Sequence, residues 1–122
     1  LSLYHEEYLT VRRYDDWCRE EREQYNFLYL RGAEKLAQLY VAEDNIDGAI
    51  SICEQILKVD TCWEEAYRLL MYCYYRKQNR SYALRLYEKC KRQLAEELGV
   101  EPMEATEKML LIIRESVVSE QI

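Results

Sequence analysis

Sliding the 122-residue chain over itself by 34 residues brings like onto like: Leu36 falls on Leu70, Tyr40 on Tyr74, Asn45 on Asn79, Ala49 on Ala83 and Glu54 on Glu88. Ile50 meets Leu84 and Ile52 meets Leu86, so apolar character repeats together with identity. A fixed period of this length marks a supersecondary unit that cannot bury its apolar face alone and must stack on its neighbour. Within the period the spacing is helical. Ala33, Leu36, Ala37 and Tyr40 stand at i, i+3, i+4 and i+7, and Ile46, Ala49, Ile50, Cys53, Ile56 and Leu57 form a second stripe. The stretch "AEDN", residues 42–45, separates the two, with Asp44 or Asn45 suited to cap the incoming helix.

The next period repeats the design. Thr61 followed by Glu64 has the form of a capping box, and Ala66, Tyr67, Leu70, Met71 and Tyr74 make the stripe behind it. After the turn "KQN" a partner helix is expected from Ser81 to Leu98, with Ala83, Leu84, Tyr87, Cys90 and Leu94 inward. Ala37, Ala49 and Ala83 fall where paired helices approach closely. A period of 34 residues is that of the tetratricopeptide repeat, a pair of antiparallel helices. The expected fold is therefore all-α: tetratricopeptide-like antiparallel helix pairs in a right-handed superhelix, with repeats over about 30–63 and 64–97.

Two repeats are one fewer than such stacks normally need, so the flanks must cover the exposed ends. Upstream, the helical pattern continues without a breaker. A long first helix is expected from about Asp16 to Ala42, bringing Trp17, Tyr25, Leu28 and Leu30 to the bundle. Downstream, "AEELGVEPME" concentrates Gly99 and Pro102 in a chain holding only three glycines and one proline. Gly99 suits a helix C-terminus, Val100 is placed to pack back on Leu94 or Ala95, and Pro102 suits a first helical position. The restarted helix, about 102–117, carries Met109, Leu110, Ile112 and Ile113 on its apolar face and serves as a cap. The whole chain, 1–122, reads as a single domain.

Composition narrows the function classes. The longest apolar run, Leu69–Tyr75, is far short of the roughly 20 residues that span a membrane, and the amino-terminal stretch has no basic lead-in or apolar core of a signal peptide. A cytoplasmic protein is expected, and a start at Leu1 suggests an excerpt from a longer polypeptide. Cys18, Cys53, Cys62, Cys73 and Cys90 include no C-x-x-C pair, which fits reduced thiols rather than a disulfide or metal framework. With His5 as the sole histidine, neither a His-based triad nor a zinc site is expected. No phosphate loop or nucleophile with a base is present, so no enzyme, metal or cofactor is expected. A net charge of −6 argues against direct nucleic-acid binding, which rests on neutralising phosphates.

The stretches "YDDWCREERE", "LAQLY", "AISICEQILKVD" and "EEAYRLLMYCYYRKQNRSYALRLYEKCKRQLAEELGVEP" together resemble the bacterial transcriptional activator domain. The resemblance covers roughly residues 4 to 115. It departs from the family pattern at Cys62, near where a proline tends to follow the aspartate, and at Asn79, where glycine is common. That helical module, related to tetratricopeptide repeats, follows a winged-helix DNA-binding domain in antibiotic-pathway regulators of the SARP class and in larger signalling regulators. The resemblance implies a regulatory, protein-interaction domain of a transcription regulator. Its partners would be the adjoining winged-helix domain, a second subunit or the transcription machinery, with DNA reached only through another domain. A stand-alone tetratricopeptide adaptor that binds peptides is the competing reading.

Two surfaces are candidates. By similarity to tetratricopeptide repeats, Arg31, Glu34, Gln38, Arg68, Tyr72 and Tyr75 would line a concave groove for a peptide or neighbouring domain, and arginine and aromatic residues are those enriched in binding hot spots. Glu34 and Gln38 stand where co-chaperone versions of the groove clamp a carboxylate with lysine and asparagine, which argues against that ligand. Between Arg76 and Arg92 there are seven basic residues and one acidic, and Arg85, Lys89 and Arg92 share a helix face. That face is either solvated or a surface that docks an acidic protein or grazes DNA phosphates beside a companion domain.

Overall fold

A computed structural model describes the backbone of residues 3–121 and the side chains of residues 19–115. The described residues form five helices and no strand: α1 (Leu3–Ala42), α2 (Ile46–Val59), α3 (Glu64–Arg76), α4 (Arg80–Leu98) and α5 (Glu104–Gln121). The chain divides into two compact units, Leu1–Gly32 and Ala33–Ile122.

In the amino-terminal unit α1 begins at Leu3, well before the expected Asp16, because nothing from there onward breaks a helix. Of the side chains expected to face the bundle, Leu30 is buried whereas Tyr25 and Leu28 are exposed, and Trp17 lies outside the described side chains, as do His5 and Cys18. The Arg31 guanidinium stands 5.6 Å over the Phe27 ring, one turn earlier on the same helix face.

The larger unit contains the repeats, and their equivalence is clearest in the turns. At the end of α1, Asp44 takes the left-handed conformation (φ 64°), its N–H donating to the Val41 carbonyl while the Asn45 N–H donates to Tyr40. Thirty-four residues on, Gln78 (φ 64°) and Asn79 make the same pair of bonds to Tyr75 and Tyr74. Both are Schellman closures that satisfy the last carbonyls of a helix. Asn45 and Asn79 then cap the following helices, their Oδ1 atoms accepting from Gly48 N at 3.1 Å and Tyr82 N at 3.2 Å. The cap of α2 is thus Asn45 rather than Asp44.

α3 lies at the centre, packed against α2, α4 and α5, and α5 also touches α4. Ala49, Ala66 and Ala83, each in the first turn or so of its helix, are wholly buried, as is Ala37. A side chain of one carbon lets the backbones approach and leaves the remaining space to Ile56, Tyr67, Met71 and Ile113. Two expected core residues turn out otherwise: Leu36 and Ile112 are substantially exposed. Each stands at the edge of its stripe, where the cover supplied by neighbouring helices is only partial.

The α2–α3 turn also corrects the expectation of a capping box. Trp63, not Thr61, precedes the first residue of α3 and makes no side-chain cap bond. Asp60 Oδ1 instead accepts from Cys62 N at 2.9 Å, and the buried Tyr67 hydroxyl donates to the Thr61 carbonyl at 2.8 Å. Burial pushes the Tyr67 phenol up to about 12, so the hydroxyl stays protonated as the donor this bond requires.

At the end of α4, Gly99 takes φ 66° and its N–H returns to Ala95 O, while Val100 N–H reaches Leu94 O. The stop is as expected, but Val100 returns through its backbone and leaves its side chain exposed. Pro102 is not the first helical residue: α5 starts at Glu104, after Met103, whose carbonyl accepts from Thr106 and Glu107.

Candidate protein-docking site

The residues 68, 72 and 75 share one face of α3 by their i, i+4, i+7 spacing, and that face carries three of the six residues expected to line a groove. Their side chains meet different partners. Arg68 donates to Thr106 Oγ1 at 3.0 Å, pairs with Glu65 and lies 3.7 Å from Glu64. Glu64 in turn accepts from the Met103 N–H at 2.6 Å and from the Thr106 hydroxyl. Arg68 is therefore part of a clamp that fastens α5 to α3, and only 14% of its side chain is exposed. Thr106, the buried polar residue of this clamp, was not singled out in the sequence. Its position three residues beyond Met103, on the inner face of a capping helix, is the only hint a sequence offers.

Farther along, the Tyr72 hydroxyl accepts from Arg76 at 3.1 Å, and the same guanidinium lies 5.7 Å from the Tyr72 ring centre. Arg76 is anchored from its other side by Asp44 at 2.5 Å, and Lys77 reaches Asp47 at 2.6 Å. Hydrogen bonds to Tyr72 and Asp44 raise the Arg76 pKa further, favouring the charged guanidinium. Tyr72 and Tyr75 are half-buried. An aromatic platform whose arginine is already held on both sides loses little freedom when it meets a partner.

On the α1 segment of the same unit, Glu34 accepts from the Trp63 indole N–H at 2.7 Å and Gln38 is exposed. Arg31 belongs to the amino-terminal unit and is exposed. The basic face is on α4, where Arg85, Lys89 and Arg92 are all exposed; among the described residues none of them forms an ion pair, not even Arg92 with Glu96 one turn away.

Cys53, Cys62, Cys73 and Cys90 are free thiols, and all but Cys62 are buried. Burial pushes Cys53 and Cys90 up to about 12 and Cys73 to about 11, which suits inert core thiols rather than nucleophiles. Among the described residues no group of three His, Cys, Asp or Glu side chains could hold a metal ion, and no helix is long and apolar enough to cross a membrane.

No curated protein and no solved structure matches the chain. A model of the bacterial transcriptional activator domain matches residues 1–114, the span that includes the repeats, the Gly99 stop and most of the clamp-bearing α5. That family is regulatory rather than a class of enzymes. The all-helical repeat with its capping helix is a domain of a transcription regulator, and the chain belongs to the bacterial transcriptional activator domain family.

Proposed function

We propose that this domain is the protein-docking part of its regulator, and that the α3 face bearing Tyr72 and Tyr75 receives the adjoining winged-helix DNA-binding domain. The observation that carries the reading is the Tyr72–Arg76–Asp44 arrangement, an aromatic and an arginine held in place before any partner arrives. Tyrosine and arginine in a fixed geometry are what interface hot spots are made of. The −6 net charge supports the division of labour, since a domain of that charge leaves phosphate recognition to a neighbour. Docking then controls how the DNA-binding domain is presented: a signal that alters the α3 face alters its hold on that neighbour.

The test is to produce the regulator's DNA-binding domain separately and measure its association with this domain by calorimetry. The pair Tyr72→Ala and Tyr75→Ala should weaken association at least about tenfold, or about 1.4 kcal/mol. Tyr72→Phe, which keeps the ring and loses only the Arg76 bond, should weaken it less. Unchanged affinity in the double variant defeats the assignment.

A further inference from the structure

A second surface lies on the α2–α4 side of the repeat unit. A groove there has an apolar floor of Leu57, Tyr74 and Leu86, with the Tyr82 ring set edge-on to Tyr74 at 4.6 Å. Lys58 and Lys89 stand along it, and Arg85 and Arg92 continue the positive charge on α4. Glu54 and Glu88 are the acids lining this region, yet none of the four cations is ion-paired among the described residues. In a chain of net charge −6, four unpaired cations around an apolar floor form a surface complementary to something acidic and partly apolar.

The same unit carries such a feature. From Gln93 to Glu107 there is no basic residue, and Glu96, Glu97 and Glu101 are exposed and form no ion pair among the described residues, while Glu104 meets Lys108 at 3.5 Å. Among these glutamates, at the end of α4, Leu98 and Met103 are 60% and 61% exposed, with Val100 between them. Acidic residues here flank the exposed apolar side chains of Leu98, Val100 and Met103 along the chain, as basic residues line the apolar groove.

One chain cannot join its own two surfaces. Lys89 and Leu98 are on one rigid helix, about 14 Å apart along its axis at 1.5 Å per residue. We infer that the knob formed by Leu98, Val100 and Met103 docks in the α2–α4 groove of a second copy of this chain. The contact is heterologous: each copy offers a knob to one neighbour and a groove to another, so it builds a ring or an open row rather than a two-fold dimer. This surface is separate from the α3 face, and the two assignments fail separately.

The test uses the 122-residue chain in sedimentation at concentrations up to about 1 mM, the weak limit of specific association. The expected result is a mass that rises with concentration beyond the monomer and falls back as salt is added. Lys89→Glu with Arg85→Glu (groove variant) and Leu98→Ser with Met103→Ser (knob variant), all at exposed positions, should each be monomeric alone. Mixed in equal amounts they should form a complex of two chains and no larger, because one intact groove and one intact knob remain. Lys89→Gln with Arg85→Gln should associate to an intermediate degree. The Tyr72→Ala and Tyr75→Ala chain should associate like the wild type. A wild type that stays monomeric throughout, or variants that fail to complement, overturns the inference.

Discussion

Replacing Thr106 by valine probes the clamp between α3 and α5 with almost no change of shape. The Thr106 hydroxyl accepts from Arg68 at 3.0 Å and donates to Glu64, and both partners are largely buried, 14% and 11% exposed. A hydrogen bond to a charged group contributes about 1.5–3 kcal/mol net, which would put two such bonds near 4 kcal/mol. The partners are not orphaned, however. Arg68 keeps Glu65, and Glu64 keeps the Met103 N–H. About half of the gross value is therefore recovered, leaving an expected loss of about 2 kcal/mol, or about 8 °C in Tm for a domain of this size. Urea unfolding followed by circular dichroism gives the free energy, and hydrogen exchange shows whether α5 amides lose protection first. Thr106→Ser, which keeps the hydroxyl and removes a buried methyl, should cost about 1 kcal/mol. A valine variant within about 0.5 kcal/mol of wild type would refute the clamp as a source of stability.

The buried thiols give a pH dependence with a definite sign. Cys53, Cys73 and Cys90 have folded values raised above the ordinary 9.0, to about 12, 11 and 12, so the stability from keeping them neutral is fully present below pH 9 and is lost as pH rises toward those values. The urea midpoint should fall from pH 9 upward, and a flat profile there would contradict it; mass mapping after thiol labelling at neutral pH should find these three protected unless the domain unfolds. Gly99→Ala should destabilise by about 1 kcal/mol through its left-handed backbone alone, since a Cβ there meets nothing within 4 Å. Gln78→Gly should act in the opposite sense by about 0.5 kcal/mol, and a loss in thermal melts would count against strain at that turn. Asn45→Ala and Asn79→Ala should each cost about 1 kcal/mol, and a large inequality between them would break the equivalence of the two turns.

The sequence alone determined the helical repeat, its period and its turns, because these depend on local chemistry and on apolar spacing that the backbone imposes everywhere. Asn45 and Asn79 cap helices wherever such helices are placed, and Gly99 ends one by accepting a conformation other residues resist. Ala37, Ala49 and Ala83 were legible as close-contact positions for the same reason. Tertiary structure decided what each face meets. Leu36 and Ile112 fit their stripes but are only partly covered, whereas Thr106, a polar residue, is buried where Glu64 and Arg68 on α3 supply its hydrogen bonds. The capping box failed to form because Asp60 and Tyr67 hold the Thr61 turn in another conformation. Arg68 reads as a groove residue by spacing and is spent on α5 in the fold. Periodicity specifies a direction around a helix axis; the partner standing in that direction comes from residues tens of positions away in the chain.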